Sequence, residues 1–451
     1  MEGNFLELLG TISGYIWGPP LLVLLVGTGI YYTFRLGFLQ MRLLPYSLKL
    51  AFSKSQDNKS EGDISHFQAL MTALAATVGT GNIVGVATAI LLGGPGALFW
   101  MWMSAFFGMA TKYAEAVLAV KYRVQDEDGE MSGGPMYYLE RGLKQKWLGV
   151  LFALFGAVAA FGIGNLVQAN SVAGVVESTF SIPAWVTGVA LTIFTALVLL
   201  GGIKSIGKVT AFFVPIMAVF YLIAGLIILF MNAGEIPAAF GLIFSDAFTG
   251  EAVAGGAIGA VIRYGVARGV FSNEAGLGSA PIAAAAAKTD MPARQALVSM
   301  TQVFIDTIVI CSITGLTIIL AGQYDTGLQG SELTTASFEM FLGSAGSYVV
   351  ALGLLFFASS TIIGWSYYGE KCFSYLFSKS VVKYYRAAFV VAVFVGAVTS
   401  LEVVWTFADI MNGLMAFPNL IGLIGLSGVV IHETKNVLKA IKEEKAKKMV
   451  A

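Results

Sequence analysis

Of 451 residues, only 2 are histidine and 2 are cysteine. His66 and His432 stand far apart, and Cys311 and Cys372 both sit in apolar runs. The chain therefore lacks the clustered ligands of zinc, haem or thiolate sites and the spaced cysteines of a disulfide framework. Charge is equally scarce: Asp, Glu, Lys and Arg make up 12% of the residues, about half the share found in soluble domains. That is too little to cover a soluble surface of this size. The 27 basic side chains are balanced by 27 acidic ones, so there is no cationic surplus for nucleic acid. Proline stops at 11, which excludes proline-rich disordered or collagen-like chains. The start, MEGNFLELLG, has neither a basic region nor a small-residue cleavage site, and no signal peptide is expected. What is abundant is apolar: 57% hydrophobic residues and 53 glycines. Such a composition predicts an all-α polytopic membrane protein.

Apolar runs of about 20 residues, the length that crosses a bilayer, occur eleven times: 15–34, 66–92, 97–120, 148–177, 183–202, 207–231, 253–287 (interrupted), 294–321, 345–375, 384–400 and 403–431. The runs are continuous rather than alternating, which excludes a β-barrel. Lys and Arg gather in every second connection: Arg35 to Lys59, Lys121 to Lys146, Lys204 with Lys208, Lys288 with Arg294, Lys371 to Arg386, and the tail from Lys435 to Lys448. The connections between them hold Glu235, Asp246, Glu251, Asp325 and Glu332 but no Lys or Arg. Positive charge marks the cytoplasmic side, so a multi-pass protein of the cell membrane is expected, with its N-terminus outside and its C-terminus inside. The basic connection 121–147 predicts a short amphipathic helix around 135–146. Its charges read either as a solvated face or as an intracellular gate.

Two spans are interrupted. The first reads ALAATVGTGNIVGVATAI, with Gly79, Gly81 and Gly85 around Asn82. The second reads RYGVARGVFSNEAGLGSAPIAAAA, with Ser272, Asn273, Glu274, Gly276, Gly278 and Pro281 in mid-span. Glycine clusters loosen a helix, and the freed backbone groups are tolerated at membrane depth only when buried in protein or lining a wet cavity. Each interrupted span opens a set of five, and the two sets start from opposite sides of the membrane. That is the pattern of an inverted-repeat secondary transporter. It divides the chain into an extra N-terminal helix and linker (1–62), a first repeat (63–232), a second repeat (253–432) and a basic tail (433–451). Gly81 to Gly85 also fits a small-residue packing face. No strand precedes GTGNIVG, which argues against a dinucleotide fingerprint. Ser, Asn and Glu together in mid-membrane are costly and point to function.

At these strings the chain resembles the alanine or glycine:cation symporter family of amino-acid transporters. GGPGALFWMWMSAFFG (Gly93 to Gly108) is similar to that family's signature stretch, and GTGNIVG, GVFSNEAGLGSAP and GWSYYGEK (Gly364 to Lys371) are similar to other strings of the family. The resemblance runs over essentially the whole chain. It implies a leucine-transporter-like fold of 5+5 spans with an extra N-terminal helix, and sodium-coupled uptake of alanine or glycine. By the same resemblance, N–H groups around Gly79, Thr80, Gly81 and Asn82 would hold the substrate carboxylate, and carbonyls near Phe271 and Ser272, with Glu274, its ammonium. Phe271 and Trp365 would wall the pocket, or serve as plain core aromatics. Gln168 is a candidate polar contact, in competition with Asn165 and Asn170, or hydrogen-bond glue between helices.

Sodium, a co-transported ion rather than a resident cofactor, wants oxygen ligands. FFASSTIIGW offers the Ala358 carbonyl and the hydroxyls of Ser359, Ser360 and Thr361. The fold's pattern sets these opposite the carbonyls of Ala75 and Val78. Relatives place adjacent Thr and Ser at the last two ligand positions, whereas here Ile362 follows Thr361. Either Ser359 or Ser360 compensates or one hydroxyl is missing, and the cluster could also bond back within its own helix. Of the remaining membrane charges, Lys112 and Glu115 are spaced as an intrahelical pair. Arg263 and Arg268 suit an external gate with a carboxylate, and Asp306 and Asp409 could belong to a proton pathway. Proton-coupled symport is thus the alternative reading. A channel and an intramembrane enzyme are disfavoured: channel filters repeat around an oligomer axis, and a metallopeptidase would find no ligands.

Overall fold

The computed structural model describes residues 2–53, 60–248, 259–399 and 402–450. Lys54, Lys59, Glu251, the expected start of the interrupted span at 253 and connection residues 400–401 lie outside them. Among the described residues, seven helices are long and apolar enough to cross a membrane, or eight if the bent pair His66–Thr77 and Gly81–Gly93 counts as one span. The other three of the eleven expected spans take other forms. Ala97–Lys121 is a continuous helix with Lys112 and Glu115 in its length, Ala184–Leu199 is a shorter apolar helix, and the second interrupted span appears as Ala260–Asn273 and Pro281–Ala285. The expected N-terminal span steps at Trp17–Gly18 between helices Glu2–Ile16 and Pro19–Arg35, because Pro19 and Pro20 are tolerated only in a first helical turn. The last expected span, 403–431, ends at Gly425, and a further helix runs Ser427–Val450.

Small residues bring the helices together. Gly265 and Gly269, one G-x-x-x-G step, face Ala97–Lys121 so closely that added Cβ atoms would lie 2.5 Å from the Ala97 carbonyl oxygen and 2.4 Å from Ser104 Oγ. Apolar lipid does not drive such contacts; close backbone approach does. The contacts also come in matched sets. Ala260–Asn273 packs on Ala97–Lys121 as His66–Thr77 packs on Pro292–Val303. Lys146–Phe161 packs on Glu402–Gly425 as Ser344–Leu376 packs on Gly202–Met231. Helices of each half thus find counterparts in the other.

On the basic side, the connection 121–147 holds more than the short helix expected there. It forms an antiparallel hairpin that pairs Val124 with Ser132 and Gln125 with Met131. The turn is Asp128–Gly129, with Gly129 at φ +79°, a hairpin dipeptide that a reading for charge passes over. Helical turns then follow at Pro135–Tyr137 and Tyr138–Gly142. The hairpin's carboxylates grip the far end of Ser344–Leu376 and the turn beyond it: Lys371 meets Asp126 at 3.4 Å and Glu130 at 3.7 Å, and Lys379 meets Asp126 at 3.0 Å and Asp128 at 2.6 Å. Arg123 donates to the carbonyls of Ala285 (3.0 Å), Ala287 (2.7 Å) and Glu61 (2.8 Å), and the Lys288 amide donates to the Ile64 carbonyl at 2.7 Å. The entry to the first broken helix and the exit of the second are therefore tied to each other and to the hairpin. The charges of this connection are therefore paired rather than a solvated face.

Burial alone would raise the pKa of Asp126, but Lys379 and Lys371 outweigh it and hold the carboxyl below its ordinary value. A depressed carboxyl contributes stability above its unfolded pKa and loses it only as pH falls through the lower folded value. Neutral or mildly acid conditions leave the clamp intact, so loosening it takes a substitution. Lys371→Met should speed hydrogen exchange across 124–132 and 61–64 by about tenfold, the effect of ~1.4 kcal/mol of local stability. Unchanged exchange would show that the clamp carries no such load.

Candidate functional site

The first half-helix begins on a capping box: Ser65 Oγ accepts from the Gln68 amide (3.2 Å) and Gln68 Oε1 from the Ser65 amide (3.0 Å). It stops where Val78 turns extended (φ −77°, ψ 90°), and the chain resumes at Gly81 in a π-helical turn, bent by 54°. The Gly79 amide donates to Asn82 Oδ1 at 3.0 Å, and the Thr80 amide to Gln168 Oε1 at 3.3 Å. The opening N–H groups of the second half-helix have no intrahelical acceptors and carry its partial positive charge. A small chamber lies there, lined by Gly79, Thr80, Gly81, Gln168, Phe271, Glu274, Thr361 and Trp365 together with Ala76, Thr77, Ile163 and Asn412.

The second break faces the first. Ala260–Asn273 ends at Glu274 in the left-handed region (φ +56°), and Gly276 and Gly278 follow at φ +92° and +86°. This loop is splinted from Ala97–Lys121. Lys112 Nζ donates to the Glu274 carbonyl at 2.9 Å, while Glu115 Oε1 accepts from the amides of Gly276 (3.1 Å) and Gly278 (3.0 Å) and from Asn419 Nδ2 (2.7 Å). The Glu274 carboxylate accepts from Ser279 Oγ at 2.5 Å. Lys112 and Glu115 do pair, at 3.7 Å.

Seven of the nine residues expected to touch substrate line the chamber: Gly79, Thr80, Gly81, Gln168, Phe271, Glu274 and Trp365. The side chains of Asn82 and Ser272 turn away from it, while the groups expected to meet the substrate there are the Asn82 N–H and the Ser272 carbonyl of the backbone. Asn82 Nδ2 donates to Asp306 Oδ1 (2.8 Å) and Ser272 Oγ to Asp306 Oδ2 (2.8 Å), a polar layer that also touches the Cys311 thiol. Asp306 thus ties the two breaks together. Gln168 Nε2 donates to Thr80 Oγ1 (3.1 Å) and the Ile163 carbonyl (2.9 Å). Asn165 and Asn170 bond instead to the carbonyls of Phe389 and of Gly396 and Thr399. Trp365 packs where Gly164 has no side chain; an added Cβ there would sit 2.3 Å from Trp365 Cβ.

At the chamber's edge, Thr361 Oγ1 lies 3.2 Å from the Ala75 carbonyl oxygen and 3.4 Å from that of Val78, and Ser360 Oγ lies 3.1 Å from the Ala75 oxygen. Both hydroxyls also bond back to the Phe357 carbonyl. It is Ser360, not Ser359, that turns toward Ala75. Ser359 makes no hydrogen bond to Ala75 or Val78 among the described residues, and the Ala358 carbonyl, an acceptor like theirs, would meet them only through a shared cation. Which of two adjacent hydroxyls faces a partner depends on helix phase, about 100° per residue, and a sequence without its neighbours does not fix that phase.

Phe271 separates the chamber from a vestibule of about 830 Å³ that reaches Thr80 and is lined by Arg268, Gly327, Gln329, Glu332 and Trp405. Arg268 stands 5.5 Å from the Phe271 ring and 3.7 Å from the Asp409 carboxylate, the ion pair expected of an outer gate. Sequence reasoning misses four chamber residues, Ala76, Thr77, Ile163 and Asn412, of which Asn412 carries a polar amide. Its signal, one amide in the apolar run DIMNGLMAF, is weak by itself.

The family model of the sodium:alanine symporter family matches residues 2–451. The chain is 63% identical to the sodium/alanine symporter AgcS of Methanococcus maripaludis, covering 98% of this chain and 99% of the relative. It is 40% identical to the probable sodium/glutamine symporter GlnT of Bacillus subtilis, covering 97% and 92%. Among solved structures, MhsT in complex with L-phenylalanine aligns with a TM-score of 0.58 at 13% identity, over 84% of this chain and 99% of that one, so the two share the leucine-transporter-like fold. The chain therefore belongs to the sodium:alanine symporter family, as a multi-pass membrane protein for secondary transport of amino acids.

Proposed function

We propose that this protein imports alanine or glycine by sodium-coupled symport. One observation carries the reading: the Thr361 hydroxyl, against the carbonyls of Ala75 and Val78, sits so near the first break that a Cβ on Gly79 would lie 2.4 Å from it. A cation held by those oxygens and by Ser360 lies beside a carboxylate at the first break, to which the Gly79 and Thr80 amides turn by giving up Asn82 Oδ1 and Gln168 Oε1, with the Gly81 N–H beside them. At such range in a low dielectric each charge strengthens the other's binding. The ammonium end meets the carbonyl end of Ala260–Asn273 and Glu274, so a zwitterion is matched by two helix breaks. Phe271 and Trp365 close the walls on a small side chain. The sodium/alanine symporter at 63% identity agrees with this choice, while the sodium/glutamine relative at 40% makes the walls the feature that selects the substrate.

The vestibule adjoins connections free of Lys and Arg, and the hairpin clamp lies among basic ones. By the positive-inside rule the vestibule opens outside and the clamp closes the cytoplasmic side, with the N-terminus outside and the tail Ser427–Val450 within. The repeats 63–232 and 253–432 move against each other to alternate access. The protein performs no chemical step and needs no resident cofactor. One observation favours proton coupling as a second reading: the buried Asp306 bridges Asn82 and Ser272 at the breaks.

Uptake into proteoliposomes, with sodium and proton gradients imposed separately, decides between them. A sodium gradient alone should drive alanine accumulation; accumulation on a proton gradient in sodium-free buffer would overturn sodium coupling. Thr361→Ala should raise the sodium concentration for half-maximal binding about tenfold, the loss of one hydroxyl contact of ~1.4 kcal/mol, and saturating sodium should restore alanine binding. Unchanged sodium affinity with collapsed maximal binding would remove Thr361 from the ion site.

A further inference from the structure

The last span enters the chamber through one side chain. Asn412, on Glu402–Gly425, is 1% exposed and lines the chamber with Gln168, Glu274, Thr361 and Trp365. Its Oδ1 is buried with no hydrogen-bond partner among the described residues. The neighbouring polar groups are engaged: Gln168 with Thr80, the Glu274 carboxylate with Ser279, and Thr361 with Ala75. An unpaired buried oxygen is costly in folded proteins, and on a residue of the chamber wall the bound ligand is the nearest source of a donor. The oxygen is an acceptor only, so it repels a carboxylate and suits a donor. In alanine and glycine the only donors are the N–H bonds of the ammonium.

We propose that Asn412 Oδ1 accepts a hydrogen bond from the ammonium group of the bound amino acid, which makes the last span part of the substrate site. The inference rests on the amino-acid reading of the chamber given above. It adds the last span to the broken helices and to the helices of Gln168 and Trp365 around the chamber, and the same helix carries Asp409, paired with Arg268, three residues earlier.

The test compares wild type with Asn412→Leu, of similar bulk without an acceptor, and Asn412→Asp, which keeps acceptor oxygens. Alanine affinity is measured at saturating sodium, and the thermal shift produced by sodium alone reports folding and ion binding. Asn412→Leu should weaken alanine binding about tenfold or more, Asn412→Asp should stay within about threefold of wild type, and both should keep the sodium shift. Native affinity in Asn412→Leu overturns the proposal. So does a loss in Asn412→Asp equal to that in Asn412→Leu, which would make the amide a donor, and so does loss of the sodium shift, which would make the residue structural. Wild-type protein that binds no alanine in sodium would overturn the parent reading, and this one with it.

Discussion

Gly81→Val should lower alanine affinity by about a hundredfold, while Gly85→Ala stays within about threefold of the parent. A Cβ on Gly81 would lie 3.0 Å from Ser272 Cα and 3.3 Å from both Phe271 Cδ1 and Ser272 Cβ. The two branches of valine would reach further, into the line where the broken helices meet. Overpacking of this kind costs about 1–3 kcal/mol, which at ~1.4 kcal/mol per tenfold spans up to about a hundredfold. Loss of approach to the backbone N–H groups adds to it. At Gly85 the nearest atom to an added Cβ is the Thr80 oxygen, 4.0 Å away, and alanine is the better helix former by about 1 kcal/mol. The two glycines stand four residues apart in one motif, so a pure packing face would suffer from both changes. Affinity measured beside detergent thermostability separates the cases. Native alanine binding by a folded Gly81→Val variant would remove the carboxylate site from the first break.

How far these features can be read without a structure follows from where their signals lie along the chain. Both breaks are legible, because glycine clusters and mid-span Ser, Asn and Glu are local facts of composition. The Lys112–Glu115 pair is legible for the same reason, since three residues on a helix fix the facing. The Arg268–Asp409 ion pair is half legible: the arginine is conspicuous, but its partner lies on another helix. What stays hidden depends on cross-helix register. Ser360 rather than Ser359 faces Ala75, and Asn82 and Ser272 turn to Asp306 rather than into the chamber. Nothing within either string distinguishes those orientations. The hairpin at 124–132 is hidden differently, since its Asp128–Gly129 turn is present but masked by the run of charges around it.

Lys112→Met should be among the most damaging single changes in the protein, because it removes one charge from a pair that is almost wholly buried. Lys112 is 1% exposed and Glu115 fully buried. Beyond the ion pair at 3.7 Å, Glu115 Oε2 has no hydrogen-bond partner among the described residues. Removing the ammonium leaves that carboxylate uncompensated and takes the donor from the Glu274 carbonyl, a combination expected to cost about 3–5 kcal/mol. The loss falls on the stretch that can least absorb it. Glu274, Gly276 and Gly278 all hold positive φ, and for Glu274 that backbone is strained unless its surroundings impose it. Relaxation there moves the Glu274 carboxylate out of the chamber, so alanine affinity should fall together with thermostability. A neutral double variant, Lys112→Met with Glu115→Gln, tests the cause. The amide oxygen introduced by Glu115→Gln would still accept from the Gly276 and Gly278 N–H groups, and no buried charge of the pair would remain. The double variant should therefore be more stable than Lys112→Met alone, despite carrying one more change. Costs that simply add would show that the pair acts through packing rather than charge, and that the splint on the second break is not electrostatic.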